Sequence, residues 1–425
     1  MTTSAPPQIS RPPSLRRNIG FAIAGRGYYA LTQFLVVAIA ARLGSPEDVG
    51  ALTLAAAIVT PLFFLATMGT RDVLTVDDLD HFKREDYVAL RLLGGCLAVV
   101  LSILAAFLLY RSDGAFLLLS VTAFAFVKFF GAQASMNHAM FQRAERLDYV
   151  ALSLLVRGSA GIIAFTLIFW QTRNLPAALA CEALAWALSF WIVDRNLLGR
   201  LQSDVSLESA LNASLRRVGK LFLWVLPVGI ALWMLRASSS VPALMLERDY
   251  GLQAVGLFGA LFYVHTALSM LANTLGSASA ARLRRYLREG RHKDFTRLSW
   301  SLVKYAALFG ALSTALAWVF GAQLLTLLFG AEYADRNLFT IIVFASSITL
   351  AASPLVTAVT AAQAFRWRIV ISGSSLLAAC LVALLLIPVY GTFGAAWTFV
   401  LSSVAYLGST LIACRRIAAI SQKAA

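Results

Sequence analysis

Five charged side chains stand inside stretches that are otherwise apolar: the cations Arg26, Lys128, Arg157 and Arg236, and the acid Glu182. An ionisable group at membrane depth is costly, so it pairs, lines a wet cavity or reaches back to the headgroups. Guanidinium and ammonium groups in one place suit a diphosphate, which takes forked Arg contacts and a compact Lys charge. Arg26, Lys128 and Arg157 each fall about eight or nine residues from the same end of an expected helix, so they share a layer about 12 Å deep. This layer reads as a cationic collar for a diphosphate; the alternative is that each long side chain snorkels. Arg26 also shares a helical face with Asn18, Tyr29 and Gln33. Arg236 is expected near the far end of its helix, where it snorkels or receives phosphate when a cavity opens on that side. Glu182 reads as a proton or sodium coupling site, or as a static partner of Arg157 or Lys128.

Other polar positions recur at helical spacing. Thr53, Thr60 and Thr67 lie seven apart, and His265, Ser269 and Asn273 four apart. Gln33, Thr60, Thr67, His265 and Asn273 are candidate cavity-lining residues, with a hydrogen-bonded core role as the alternative for His265. Tyr28, Trp170, Trp233 and Trp367 belong to interfacial aromatic belts.

The elements that position these residues follow from composition. The 425 residues are 59% hydrophobic and 13% charged, with mean hydropathy +0.75. That is too little polar surface for a soluble globule, and apolar runs of about twenty residues recur throughout, so the chain reads as an all-α polytopic membrane protein. About twelve transmembrane helices are expected, at residues 18–41, 49–68, 87–110, 115–136, 149–170, 175–193, 221–241, 254–280, 302–328, 338–362, 369–387 and 391–414. A disordered tail at 1–17 precedes an N-terminal six-helix lobe at 18–194. A linker at 195–220 leads to a C-terminal lobe at 221–414 and a tail at 415–425.

A weak internal repeat sets Val49-Gly50 on Val255-Gly256 and Thr60 on Thr266. An even shift of six helices preserves orientation, so two parallel-repeat lobes would flank a central cavity. The mixed-charge stretch 71–91 reads as a solvated connector in preference to a surface helix.

Of the 36 Lys and Arg, only Arg42, Arg111, Arg173, Arg248 and Arg336 fall in the loops that follow odd-numbered helices, which places both termini in the cytoplasm. The net charge of +15 is assigned to that asymmetry and not to nucleic acid. Cys96, Cys181, Cys380 and Cys414 stand alone and read as small core residues, without metal-ligand spacing. The polar start argues against a cleaved signal peptide. With no GxxxxGKS/T loop, neither a nucleotide motor nor any cofactor is expected.

The run Ala41-Arg42-Leu43-Gly44-Ser45-Pro46-Glu47-Asp48-Val49-Gly50 resembles the loop between the first two helices of bacterial polysaccharide flippases. Ile387-Pro388-Val389-Tyr390-Gly391 followed by Gly394-Ala395-Ala396 resembles their turn into the last helix, and Ala254-Val255-Gly256 with the basic loop after Arg282 fits the same pattern. The resemblance is to the oligosaccharide-lipid flippases of the multidrug/oligosaccharidyl-lipid/polysaccharide exporter superfamily. It implies a V-shaped pair of lobes and alternating access. It also implies an inner-membrane protein that moves a polyprenyl-diphosphate-linked oligosaccharide to the periplasmic leaflet for surface polysaccharide biosynthesis. Expected partners are that substrate, membrane lipids, and the polysaccharide polymerase and export machinery. A cation-coupled multidrug antiporter and a membrane glycan polymerase or ligase are the alternatives; short outer loops give the last little to stand on.

Overall fold

The opening hairpin shows how local chemistry sets the helix ends. Helix α1 spans Leu15–Leu43 and α2 spans Pro46–Thr67. Between them the Ser45 N–H donates to Asp48 Oδ2 at 2.9 Å and the Asp48 N–H donates to Ser45 Oγ at 3.3 Å, a reciprocal cap for α2. Pro46 therefore starts α2, and does not end α1, because the first turn has no use for its missing N–H. Gly44 has φ −106, so it is not a left-handed turn residue. It is needed for room: a Cβ there would lie 2.7 Å from both Asp48 Oδ2 and the Phe169 ring.

The computed structural model describes residues 14–75, 82–111, 115–201, 210–362 and 364–423, without the side chains of 15, 267–281, 292, 365 and 417–423. Residues 1–13 of the expected disordered tail and 76–81 of the charged stretch lie outside it. After α2 come α3 (Thr70–Leu74), α4 (Arg84–Tyr110), α5 (Ala115–Arg143), α6 (Leu147–Thr172) and α7 (Leu175–Ser189). A π-helical turn, Phe190–Asp194, joins α7 to α8 (Arg195–Arg200). The rest is α9 (Leu215–Arg288), α10 (His292–Leu328), a 3-10 turn at Ala331–Tyr333, α11 (Arg336–Ala361) and α12 (Phe365–Lys423).

Helix α9 has 74 residues, about 110 Å if straight, far more than a bilayer spans. Its backbone leaves the helical region at Gly251 (φ 77), and α12 does the same at Gly391 (φ 54). Packing shows that both are reversals. A Cβ on Gly394 would lie 2.6 Å from the Leu386 carbonyl carbon, an approach that eight residues of continuous helix forbid. Along α9, Gly229 meets Met68 at one end of α2, Gly256 meets Gly50 at the other, and Gly259 meets Thr53 one turn back. The ten long apolar helices among the described residues therefore make twelve spans in two halves of six.

Several helices run longer than expected. Helix α5 reaches Arg143, the first limb of α9 reaches Tyr250, and α10 starts at His292. Part of the stretch read as a connector is the short helix α3. Cys96 is exposed on α4 and so is not a core residue.

The centre of the bundle is α2, buried over 72% of its apolar stretch against 17–44% for the other long helices. It lies along both limbs of α9. The Gly50–Gly256 crossing there is reciprocal: a Cβ on Gly50 would fall on the Leu252 carbonyl oxygen, and one on Gly256 on that of Pro46. Leu252 and Pro46 are themselves equivalent in the internal repeat. In the N-terminal half, Trp186 of α7 is slotted between α5 and α6, its ring where side chains on Gly131 and Gly161 would stand.

Candidate functional site

Where α1, α2, α5, α7 and the second limb of α9 converge, they enclose a cavity of about 160 Å³ between the halves. Tyr29, Gln33 and Phe34 of α1, Phe124 and Lys128 of α5, Glu182 of α7, and Tyr263 and Thr266 of α9 line it, with Leu52 from α2. Glu182 is 3% exposed, is engaged by the Gln33 side chain, and lies within electrostatic range of Lys128. The Lys128 Nζ sits 4.9 Å above the Phe124 ring, so the ammonium is held between an aromatic face and a carboxyl group. The cavity lining thus carries a cation, an acid and an amide bonded to that acid.

Of the three cations expected in one layer, Lys128 stands deepest. Because α5 runs on to Arg143, Lys128 lies about 22 Å from that helix end, and reaches the cavity itself. Arg157 is enclosed below it, 3% exposed, with its guanidinium 5.1 Å from the Tyr29 ring and 4.9 Å from Trp186. Arg26, one turn before Tyr29 on α1, is half-buried and faces the charges of Arg71 and Asp72 on α3. Arg236 is not near its helix end, since the limb continues about four turns to Gly251. It is exposed, yet lies 4.8 Å over the Phe64 ring and within electrostatic range of Lys128 and His265, so it faces the cleft between the halves.

The other expected lining positions divide. Gln33 is on the cavity wall, whereas Thr60 is half-buried elsewhere on α2 and Thr67 is buried, donating to the Phe63 carbonyl at 2.6 Å. With its hydroxyl hydrogen committed to its own helix and its side chain buried, Thr67 does not line the cavity. His265 is a core residue of the C-terminal half: its Nδ1 is 2.9 Å from Ser346 Oγ, and its ring packs 4.5 Å from Phe399. The Asn273 side chain lies outside the described residues. Asn18 does not share the cavity face; its amide donates to the Glu145 carbonyl at 2.7 Å and ties α1 to the α5–α6 turn.

Sequence reasoning missed four contributors. Tyr263 lacks any neighbouring charge in sequence, so it reads as core. Arg71 and Arg91 were absorbed into a connector, but Arg91 donates to Ser135 Oγ at 2.8 Å and Arg71 is half-buried beside Arg26. Asp194 sits at the end of an apolar run, where an acid ordinarily marks a loop; it is fully buried.

At the end away from the termini the halves are sealed above the cavity. Phe34 packs 5.6 Å from Phe329, which packs 5.9 Å from Tyr333. Arg42 donates to the carbonyls of Thr326 and Leu327 at the last turn of α10, and Tyr110 donates to Glu247 at 3.1 Å. Burial, with Asp48 and Glu47 nearby, pushes the Tyr333 hydroxyl well above its ordinary pKa, so this plug stays neutral.

Comparison with known proteins bears on this arrangement. The family described as polysaccharide biosynthesis protein matches residues 15–281. The capsular polysaccharide biosynthesis protein CapF of Staphylococcus aureus is 25% identical over 402 residues, 94% of this chain and 99% of CapF. Among solved structures, a mutant of the Vibrio cholerae MATE transporter VcmN superposes with a TM-score of 0.65 at 15% identity, covering 95% of this chain and 97% of that one. An inward-facing multidrug resistance MATE family transporter of the MOP superfamily gives 0.61 at 15% identity, covering 99% and 98%. These similarities carry the two-lobe transporter fold.

Proposed function

Since the chain belongs to the polysaccharide biosynthesis protein family and is built on a transporter fold, we propose that it is a flippase for a polyprenyl-diphosphate-linked oligosaccharide. It works by alternating access from the cytoplasmic to the periplasmic leaflet of the inner membrane, with both termini cytoplasmic. The observation that carries this reading is the cavity between the halves, sealed at the far end, with Arg26, Arg71, Arg236 and Lys128 ranged from the terminal end inward. Tiered cations suit a head group that enters phosphate first and is handed inward, each guanidinium or ammonium replacing water on the phosphoryl oxygens. The lipid tail stays in the bilayer beside the cleft. Two negative charges moving outward across roughly 100 mV, inside negative, release about 4.6 kcal/mol, enough to bias transport without nucleotide hydrolysis. Glu182 is the coupling group: it takes up a proton or sodium ion in one state, and when charged it pairs with Lys128.

Reconstitution tests this. Proteoliposomes holding a lipid-linked oligosaccharide should expose it to an external glycan-cleaving enzyme, and Arg26→Ala and Lys128→Ala should each slow that exposure at least tenfold with the protein still inserted. Wild-type rates in both variants would overturn the flippase reading of these cations. One observation favours the second reading, a cation-coupled multidrug antiporter: the carboxyl of Glu182 on the cavity wall. Uptake of a cationic dye abolished by Glu182→Gln, with no glycan translocation, would establish that function instead.

A further inference from the structure

Among the described residues, eight buried side-chain nitrogen or oxygen atoms have no hydrogen-bond partner, and five of them belong to Arg157, Trp186, Ser189 and Asp194. Buried polar atoms are costly unless bonded, so this clustering is not expected of a dry core. The four residues form a line. Glu182, Trp186 and Ser189 follow one face of α7 down from the cavity, and the π-helical turn carries Asp194 onto the same side. Arg157 and Ser153, one turn apart on α6, face that line, with the guanidinium 4.9 Å from the Trp186 ring. Trp186 Nε1 and Glu182 Cγ both crowd the place where a side chain on Gly161 would stand, so the indole joins the line to the cavity wall.

At its lower end, about 18 Å along α7 from Glu182, the line meets a closed chain of three polar groups. The Ser153 hydroxyl donates to Asp194 Oδ1 at 2.6 Å, and His138 Nε2 lies 2.8 Å from Ser153 Oγ. All three residues are at most 3% exposed. A serine has one hydroxyl hydrogen; with that given to the carboxylate, His138 Nε2 must be the donor to Ser153 Oγ. The charged groups facing this cluster are Arg157 from α6 and Arg71 from α3, both within electrostatic range of His138. The nearby Arg143 is turned to the Leu74 carbonyl, Arg146 to Asp148, and Arg195 to the Trp191 ring.

We propose that His138, Ser153 and Asp194 form a second proton-holding site, joined to Glu182 by a hydrated column along Ser189, Arg157 and Trp186. This rests on the reading of Glu182 as the coupling group. When His138 holds a second proton at Nδ1, the charge moves by paired transfer: the His138 Nε2 proton passes to Ser153 Oγ as the Ser153 hydroxyl proton passes to Asp194 Oδ1. An imidazolium and a carboxylate thereby become a neutral imidazole and a neutral carboxyl group, with no proton gained or lost overall. Internal water bound at Asp194 Oδ2, Ser189 Oγ and the Arg157 and Trp186 N–H groups carries exchange onward to Glu182. Because these residues are buried among α5, α6 and α7, the column exchanges protons with Glu182 inside the N-terminal half, apart from the substrate cleft.

Infrared difference spectroscopy of the purified full-length protein, following carboxyl protonation across pH, tests the proposal. Two protonated-carboxyl bands are expected; Glu182→Gln should delete one and Asp194→Asn the other. Ser153→Ala and His138→Gln should each keep both but slow the Glu182 response to a pH jump at least tenfold, with melting temperatures showing each variant folded. If the Glu182 band titrates but Asp194→Asn deletes nothing, the second site is overturned and the coupling reading of Glu182 stands. If Glu182→Gln deletes no band, the coupling reading falls and the column with it. Unchanged pH-jump kinetics in Ser153→Ala would overturn the relay.

Discussion

The two halves of the molecule share six helices and a fold but bury different chemistry. Among the described residues, the buried Asp, Glu, Lys and Arg side chains are Asp86, Arg146, Arg157, Glu182 and Asp194, all in the first half. Among its described side chains, the second half buries hydroxyls and the His265 imidazole. Ser238 pairs with Ser375 at 3.0 Å, Thr349 with Ser403 at 2.9 Å, Ser374 with Ser409 at 2.9 Å, and His265 with Ser346. Hydroxyl pairs between apolar helices contribute about 0.6 kcal/mol each and also bond their own helix, so they lock helices together at little risk. A buried charge costs several kcal/mol and persists where it is used. The difference gathers the buried charge in the first half, while Arg236, the second half's cation at the cleft, stays exposed.

The largest expected effect tests that division directly. Lys128→Ala should reduce glycan translocation at least tenfold, about 1.4 kcal/mol or more in barrier, whereas Ser375→Ala should stay within about twofold of wild type. Equal losses would erase the contrast. At the Gly50–Gly256 crossing the halves should instead behave alike. Gly50→Ala and Gly256→Ala each push a methyl group into the facing carbonyl, so each should destabilise by about 1–3 kcal/mol, read as a lowered melting temperature. A crossing in which one alanine is tolerated and the other is not would sink the local two-fold relation. Next in size, Asp86→Ala removes the acceptor of the Lys83 N–H at 3.1 Å and of Arg217 at 3.2 Å, and should cost about 1–2 kcal/mol.

How much of this was legible in the sequence depended on what kind of signal each residue left. Helix number and the loop motif at Ser45-Pro46-Glu47-Asp48 were plain, because apolar length and capping chemistry are local. The reversals at Gly251 and Gly391 were also expected from the break in apolar runs, although the ends were not: α5 and α10 extend past their apolar runs into polar residues that hydropathy alone assigns to loops. On α5 that error in length set Lys128 level with Arg26 and Arg157, and on the first limb of α9 it set Arg236 near a helix end. Glu182 and Lys128 announced themselves as charges in apolar surroundings. His138 and Asp194 did not, because their burial depends on how α5, α6 and a π-helical turn meet, and no spacing within one helix encodes that meeting.

The smallest predicted effect concerns the seal at the far end. Arg42 of α1 reaches across the halves to the final carbonyls of α10, where the helix dipole favours a cation, but both partners are exposed. Arg42→Ala should therefore lower stability by only about 0.5–1 kcal/mol at low salt, and the difference should shrink as ionic strength rises, because an exposed interaction is screened. The Gly50–Gly256 contact is steric and has no such dependence. Melting curves of the two variants at low and high salt separate the contributions: a salt-dependent loss in Arg42→Ala beside a salt-independent one in Gly50→Ala places the seal's strength in helix packing, with the guanidinium as a latch. A large, salt-insensitive loss in Arg42→Ala would instead make that side chain a buried strut, and the far end of the two halves would have to part by breaking it before the glycines could separate.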